Sequence, residues 1–147
     1  MGFFDSILGD DGKNAPAPAS GDSGKTTNPF NVQLSFSPLR LSAGRKNAVQ
    51  MMVRVKNISD ESQLVSVDAL LSKNCMLGFD QSCINKAIEK RVGDLKAGAS
   101  IDVPIEIFGS NQTKDGNYGL EVTVYAHYIG YEKVIGYIKK SASLRVV

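Results

Sequence analysis

Three sets of side chains in this sequence have the types that chemistry needs. The first is Ala19-Ser20-Gly21-Asp22-Ser23-Gly24-Lys25-Thr26, a relaxed form of the phosphate-cradling pattern that ends in Gly-Lys-Ser/Thr. That chemistry needs a buried strand before the loop and a helix after it, so that backbone N–H groups and the helix dipole meet the phosphate. Here Ala15-Pro16-Ala17-Pro18 precede the pattern and Thr27-Asn28-Pro29 follow it, and Pro29 opposes a helix at that point. The context predicts no phosphate site and no nucleotide cofactor. The second set is Cys75 and Cys83. A zinc site usually takes four ligands, and His127 is the sole histidine, so no metal is expected. A local disulfide and two unpaired thiols in a semi-apolar loop both remain open. The third is His127 with either cysteine. No nucleophile elbow or other signature frames those cysteines. The acidic residues are scattered through turns and outward positions. The expectation is a chain with no catalytic residue, no cofactor and no metal: not an enzyme.

The elements that would position these residues have a period of two. Val32, Leu34 and Phe36 alternate with Gln33 and Ser35. Val49, Met51, Val53 and Val55 alternate with Gln50, Arg54 and Lys56, and Val65, Val67, Ala69 and Leu71 with Ser66 and Asp68. Ile101, Val103, Ile105 and Ile107 alternate with Asp102, Pro104 and Glu106; Tyr118 to Ala126 continue the pattern, with His127 on the outward, solvated side. Such alternation marks strands with one face on a core. Turn signals separate them at 42–44, 57–62, 96–98 and 114–116. Residues 73–91 fit either a long loop with a strand or one helix, since Ile84, Ala87, Ile88 and Arg91 have helical spacing and Ser82 is a capping type. Tyr131–Val147 reads as one long strand or a hairpin. The pattern suggests an all-β sandwich or barrel, and an antiparallel sandwich of about seven strands over residues 30–147 is the expected form.

In front of it the composition changes. Residues 9–29 are almost all small, polar or proline, and predict a disordered linker. Residues 1–8 hold an apolar cluster, Phe3, Phe4, Ile7 and Leu8, which would share one face of a short helix. Residues 1–29 carry four aspartates against two lysines, a net of −2, so the remainder carries +4 to give the chain's total of +2. The basic residues form no block, so no nucleic acid is expected. Met1–Leu8 has no basic n-region and no long apolar run, and no stretch approaches a transmembrane length, so the expected compartment is the cytoplasm. Two glycosylation sequons, at Asn57 and Asn111, would matter only for an exported chain.

The order of the strands also carries a resemblance. VRVKNISDESQLVSVDALL, GDLKAGASIDVPIEI and DGNYGLEVTVYA resemble the strand–turn–strand pieces of CARDB-type immunoglobulin-like modules of archaea and bacteria, over about residues 30–147. The resemblance implies an immunoglobulin-like sandwich used for binding or structural spacing. In such a fold Tyr118 either makes a tyrosine corner or simply packs in the core. The chain departs from antibody-type domains: neither of the relevant strands carries Cys, and there is no Trp.

Two surfaces are candidates for partners. Tyr125, Tyr131 and Tyr137 suit a protein interface, because tyrosine buries area and keeps its hydroxyl in water. Phe3, Phe4, Ile7 and Leu8 could lie on a membrane, dock into a groove of a partner or fold back on their own domain, and a partner's groove suits them best. A membrane surface is the poorer fit: residues 1–12 contain no Lys or Arg, although Met1-Gly2 to Ser6 matches a myristoylation pattern. The reading is a non-enzymatic protein-interaction module in the cytoplasm, held near a membrane or assembly by its first residues. The alternative is an exported adhesion or cell-surface module.

Overall fold

The computed structural model describes residues 28–147. Phe3, Phe4, Ile7 and Leu8 lie outside the described residues, as do the phosphate-loop-like segment and all but the last two residues of the linker. The described chain forms nine strands and no helix: β1 Phe30–Ser37, β2 Arg40–Leu41, β3 Asn47–Asn57, β4 Gln63–Leu71, β5 Leu77–Gly78, β6 Ala87–Leu95, β7 Ser100–Gly109, β8 Gly116–Tyr128 and β9 Gly130–Val146. Five are the alternating runs, β9 is their C-terminal partner, and β6 begins inside the segment 73–91 that fitted either a strand or a helix. The other two, β2 and β5, are two-residue pairings too short to leave a pattern in the sequence.

The strands form two sheets, one ordered β1-β3-β7-β5 and the other β2-β9-β8-β4-β6. All pairings are antiparallel except the short parallel one between β9 and β2. The chain changes sheets between β1 and β2 across a cis Ser37–Pro38 bond. Val49, Met51, Val53 and Val55 of one sheet and Val65, Val67, Val122 and Val124 of the other fill the space between them, all essentially inaccessible. This is the inward set that the alternation picks out, and its burial supplies the main drive to fold.

Local devices fix the register. Gly44, Gly98 and Gly116 take positive φ in three of the turns marked by sequence. At the fourth, the fully buried Asn57 donates from Nδ2 to the Glu61 carbonyl (2.7 Å) and the Leu95 carbonyl (2.9 Å) and accepts from the Ser59 N–H (3.0 Å). A glycan would need that same Nδ2, so the Asn57 sequon is sealed by the fold. Tyr118 makes the corner: its hydroxyl donates to the Lys114 carbonyl at 2.7 Å, while its ring packs on the core.

Residues 73–91 hold no helix. Asp80 accepts from the backbone N–H groups of Ile84 and Asn85 at 2.9 Å each and from the Ser82 hydroxyl, which hold its carboxyl below the usual range, the Ser82 bond foremost. Lys86 Nζ donates to the carbonyls of Cys75, Leu77 and Cys83. These side-chain bonds satisfy the loop backbone locally and outcompete a helical ladder. Ser82 therefore binds Asp80 rather than capping a helix. Tyr131–Val147 is a single strand, hairpinned onto β8.

Candidate functional site

The outward face of the β9-β8-β4-β6 sheet collects the chemistry. Register places side chains in rows across four strands. One row runs Tyr137, Tyr125, Ser66 and Arg91; the next runs Lys139, Thr123, Asp68 and Glu89. Opposed residues on one face are close enough to interact. Tyr125 and Tyr137 accordingly sit 6.1 Å apart, ring to ring, and Tyr125 lies 6.1 Å from His127.

Tyr131 joins them by a break in the ladder. Ala126 pairs with Gly136, His127 with Val134, and Tyr128 with Gly130, so Tyr131, Glu132 and Lys133 bulge out between the last two pairs. Bulges re-aim side chains. This one lays the Tyr131 ring edge-on over His127 at 5.1 Å, and the Arg91 guanidinium stacks on Tyr131 at 4.8 Å. The structure thus brings Tyr125, Tyr131 and Tyr137 into one contiguous patch. Tyr137 is 59% exposed, with Tyr128, Ile129, Val134 and Ile135 exposed beside it.

His127 departs from the sequence reading. It is on the outward face, but it is 6% exposed rather than solvated, because Tyr131 covers it. Its Nε2 hydrogen-bonds Ser66 Oγ at 2.8 Å, and its Nδ1 is buried with no partner among the described residues. A Ser–His pair is the start of a nucleophilic device. Here Ser66 is 1% exposed, which leaves no room for a substrate at Oγ, and no acceptor orients Nδ1. The pair reads as a polar clasp beneath the aromatic patch. Nothing local in the sequence marks Ser66 or Arg91; both become visible only once the register puts them across from Tyr125 and under Tyr131.

Beside the patch is an open groove of about 470 Å³ lined by Asp68, Glu89, Glu121, Thr123, Tyr125 and Lys139. Burial first, and then the charge of Glu89, pushes the Asp68 carboxyl up, against a smaller pull from His127. Its Oδ1 is buried without a partner among the described residues.

The cysteines do not join this site. Both are free thiols in the loop around β5, with Cys75 donating to the Ser72 carbonyl at 3.0 Å and Cys83 to the Phe108 carbonyl at 3.2 Å. Burial pushes the Cys83 thiol up, opposite to what an activated nucleophile needs. Among the described residues no group of three or more His, Cys, Asp or Glu side chains is placed to hold a metal ion.

Two facing antiparallel sheets with a tyrosine corner define an immunoglobulin-like β-sandwich. No family model matches the chain, and no curated protein matches it in sequence. Among solved structures it superposes on native alpha-2-macroglobulin from Escherichia coli, resolved from domain MG7 to the C-terminus, with a TM-score of 0.59 at 17% identity. That match covers 84% of this chain and 17% of the other. The native conformation of E. coli alpha-2-macroglobulin seen by electron cryomicroscopy gives a TM-score of 0.55 at 16% identity, over 82% of this chain and 7% of that one. The likeness establishes the all-β, immunoglobulin-like fold, and this chain spans only a small part of those proteins' length.

Proposed function

We propose that this chain is a non-enzymatic protein-interaction module of the CARDB-like kind, which docks a partner on the β8–β9 end of its five-stranded sheet. The observation that carries this reading is the convergence of Tyr125, Tyr131 and Tyr137 on one outward patch, rimmed by exposed Val134 and Ile135. Rigid aromatic side chains that bury area at low entropic cost are the usual anchors of protein interfaces. The Arg91–Tyr131–His127 stack holds the patch in shape before any partner arrives, which lowers the cost of binding. The sealed Ser66–His127 pair favours this over a hydrolytic role. Phe3, Phe4, Ile7 and Leu8 act as a second docking element, and the module works in the cytoplasm.

The test is recovery of partners from the native cell with a tagged full chain. Tyr137→Asp with Val134→Asp should lose the partner that the wild type retains. Gln50→Asp, exposed on the opposite sheet, should keep it. Far-UV circular dichroism of each variant confirms that the fold is intact. Equal recovery by all three chains would move the interface off this patch.

A further inference from the structure

The rim of the sandwich where β9 passes the start of β1 has the properties of a docking site whose occupant is in this same chain. β9 is 17 residues long, yet β2 pairs only with its Arg145 and Val146. From Gly130 to Leu144 its outer edge has no strand beside it among the described residues, and Val134 and Ile135 are each 48% exposed there. Such an edge is ordinarily paired, covered, or guarded by charged side chains and bulges, and β9 carries both of the last. A groove of about 390 Å³ with mixed walls opens next to it: Pro29, Ile58, Ala126 and Ile135 give it an apolar side, and Asp60 and Glu61 are among its polar residues. Asn28 and Pro29 are held at that spot: Asn28 accepts from the Phe30 N–H, and the Pro29 carbonyl from the Ile58 N–H. The first 27 residues therefore leave the sandwich at the groove itself.

We propose that the segment Phe3–Asp11 docks in cis on this rim, with Phe3, Phe4, Ile7 and Leu8 against Ile58, Val134 and Ile135. Reach permits it, because a coil of the length between Leu8 and Asn28 would span ~25 Å. Charge directs it. The segment carries Asp5, Asp10 and Asp11 and no base, whereas β9 presents exposed Lys133, Lys139 and Lys140 against the single acid Glu132. Asp60 and Glu61, which also line the groove, would repel the aspartates, so the lysines of β9 are the partners charge favours. Tethering makes weak contacts sufficient, since a covalently attached segment meets its site at an effective concentration on the order of millimolar. The rim includes Val134 and adjoins Tyr137, so a partner taking the aromatic patch would have to displace the segment.

The experiment uses purified full-length chain with a photoreactive benzoylphenylalanine in place of Phe4. Irradiation should give an internally crosslinked monomer, with the crosslink mapped to residues 133–140 or to Ile58. Lys133→Glu with Lys139→Glu and Lys140→Glu should cut the yield several-fold, as should raising the salt to a Debye length of ~3 Å. In an independent readout, Phe3→Asp with Phe4→Asp should shift the backbone amide resonances of Ile58, Ile135 and Tyr137. Crosslinked dimers whose yield rises with protein concentration would assign the rim to a second copy and overturn the proposal. So would crosslinks spread over other surfaces, or unmoved amides. No partner is present in either measurement, so their failure is distinct from failure of the docking face proposed above.

Discussion

His127 and Ser66 give the sharpest test of how the aromatic patch is built. In His127→Ala, Ser66 Oγ loses its only side-chain bond at a position 1% exposed, which costs ~1–3 kcal/mol for an orphaned buried hydroxyl. The Tyr131 ring also loses the edge-on contact beneath it, worth ~0.5–1.5 kcal/mol. Together the loss is about 3 kcal/mol. Ser66→Ala removes the bond alone and leaves both ring nitrogens unpartnered, for about 1–2 kcal/mol. Because the two share one bond, the double substitution should cost less than the sum by about 1 kcal/mol. Urea unfolding followed by far-UV circular dichroism suits a chain without Trp, and a thermal scan should show His127→Ala melting roughly 10 °C lower. A His127→Ala variant within ~0.5 kcal/mol of wild type would refute the reasoning, because a surface substitution behaves that way. The histidine would then be the solvated side chain that alternation alone implies.

Three further outcomes follow from individual sites. A Cβ on Gly78 would lie 2.7 Å from the Cys83 carbonyl carbon and closer still to its Cα, so Gly78→Ala should cost more than ~2 kcal/mol, while Gly119→Ala, which meets open space, should be near neutral in the same denaturation assay. Asp68 has its carboxyl raised in the folded state, so the fold binds that proton more tightly than the unfolded chain does, and its contribution to stability falls as pH rises through the raised range. Asp68→Asn should therefore be more stable than wild type at neutral pH, by ~0.5 kcal/mol given solvent screening, with the advantage gone below the ordinary aspartate range in a pH series of melting temperatures. Tyr118→Phe should lose about 1 kcal/mol with the corner bond to Lys114, measured by urea midpoint.

The all-β architecture was legible because its core residues are apolar at every second position, a pattern that leaves a sandwich or a barrel. The turns at Gly44, Gly98 and Gly116 were legible because positive φ selects glycine. The loop from Ser72 to Lys86 was not. Its conformation is fixed by Asp80 and Lys86 reaching backbone groups several residues away, and such bonds have no periodicity to read. The site shows the same division. Tyr125 and Tyr137 share an outward row by alternation, but the environment of His127 depends on a three-residue bulge that brings Tyr131 over it. Ser66 and Arg91 needed the register of β4 against β8 and β6, which no local signal sets.

The central claim is that the β8–β9 aromatic patch is the docking face. The most direct measurement is photocrosslinking in the native cell, with benzoylphenylalanine placed in turn at position 137 on this face and at position 50 on the opposite sheet. Position 137 should yield one defined covalent adduct with a partner protein, lost when Val134→Asp is added, while position 50 yields none. Adducts from position 50 with none from 137 would contradict the account.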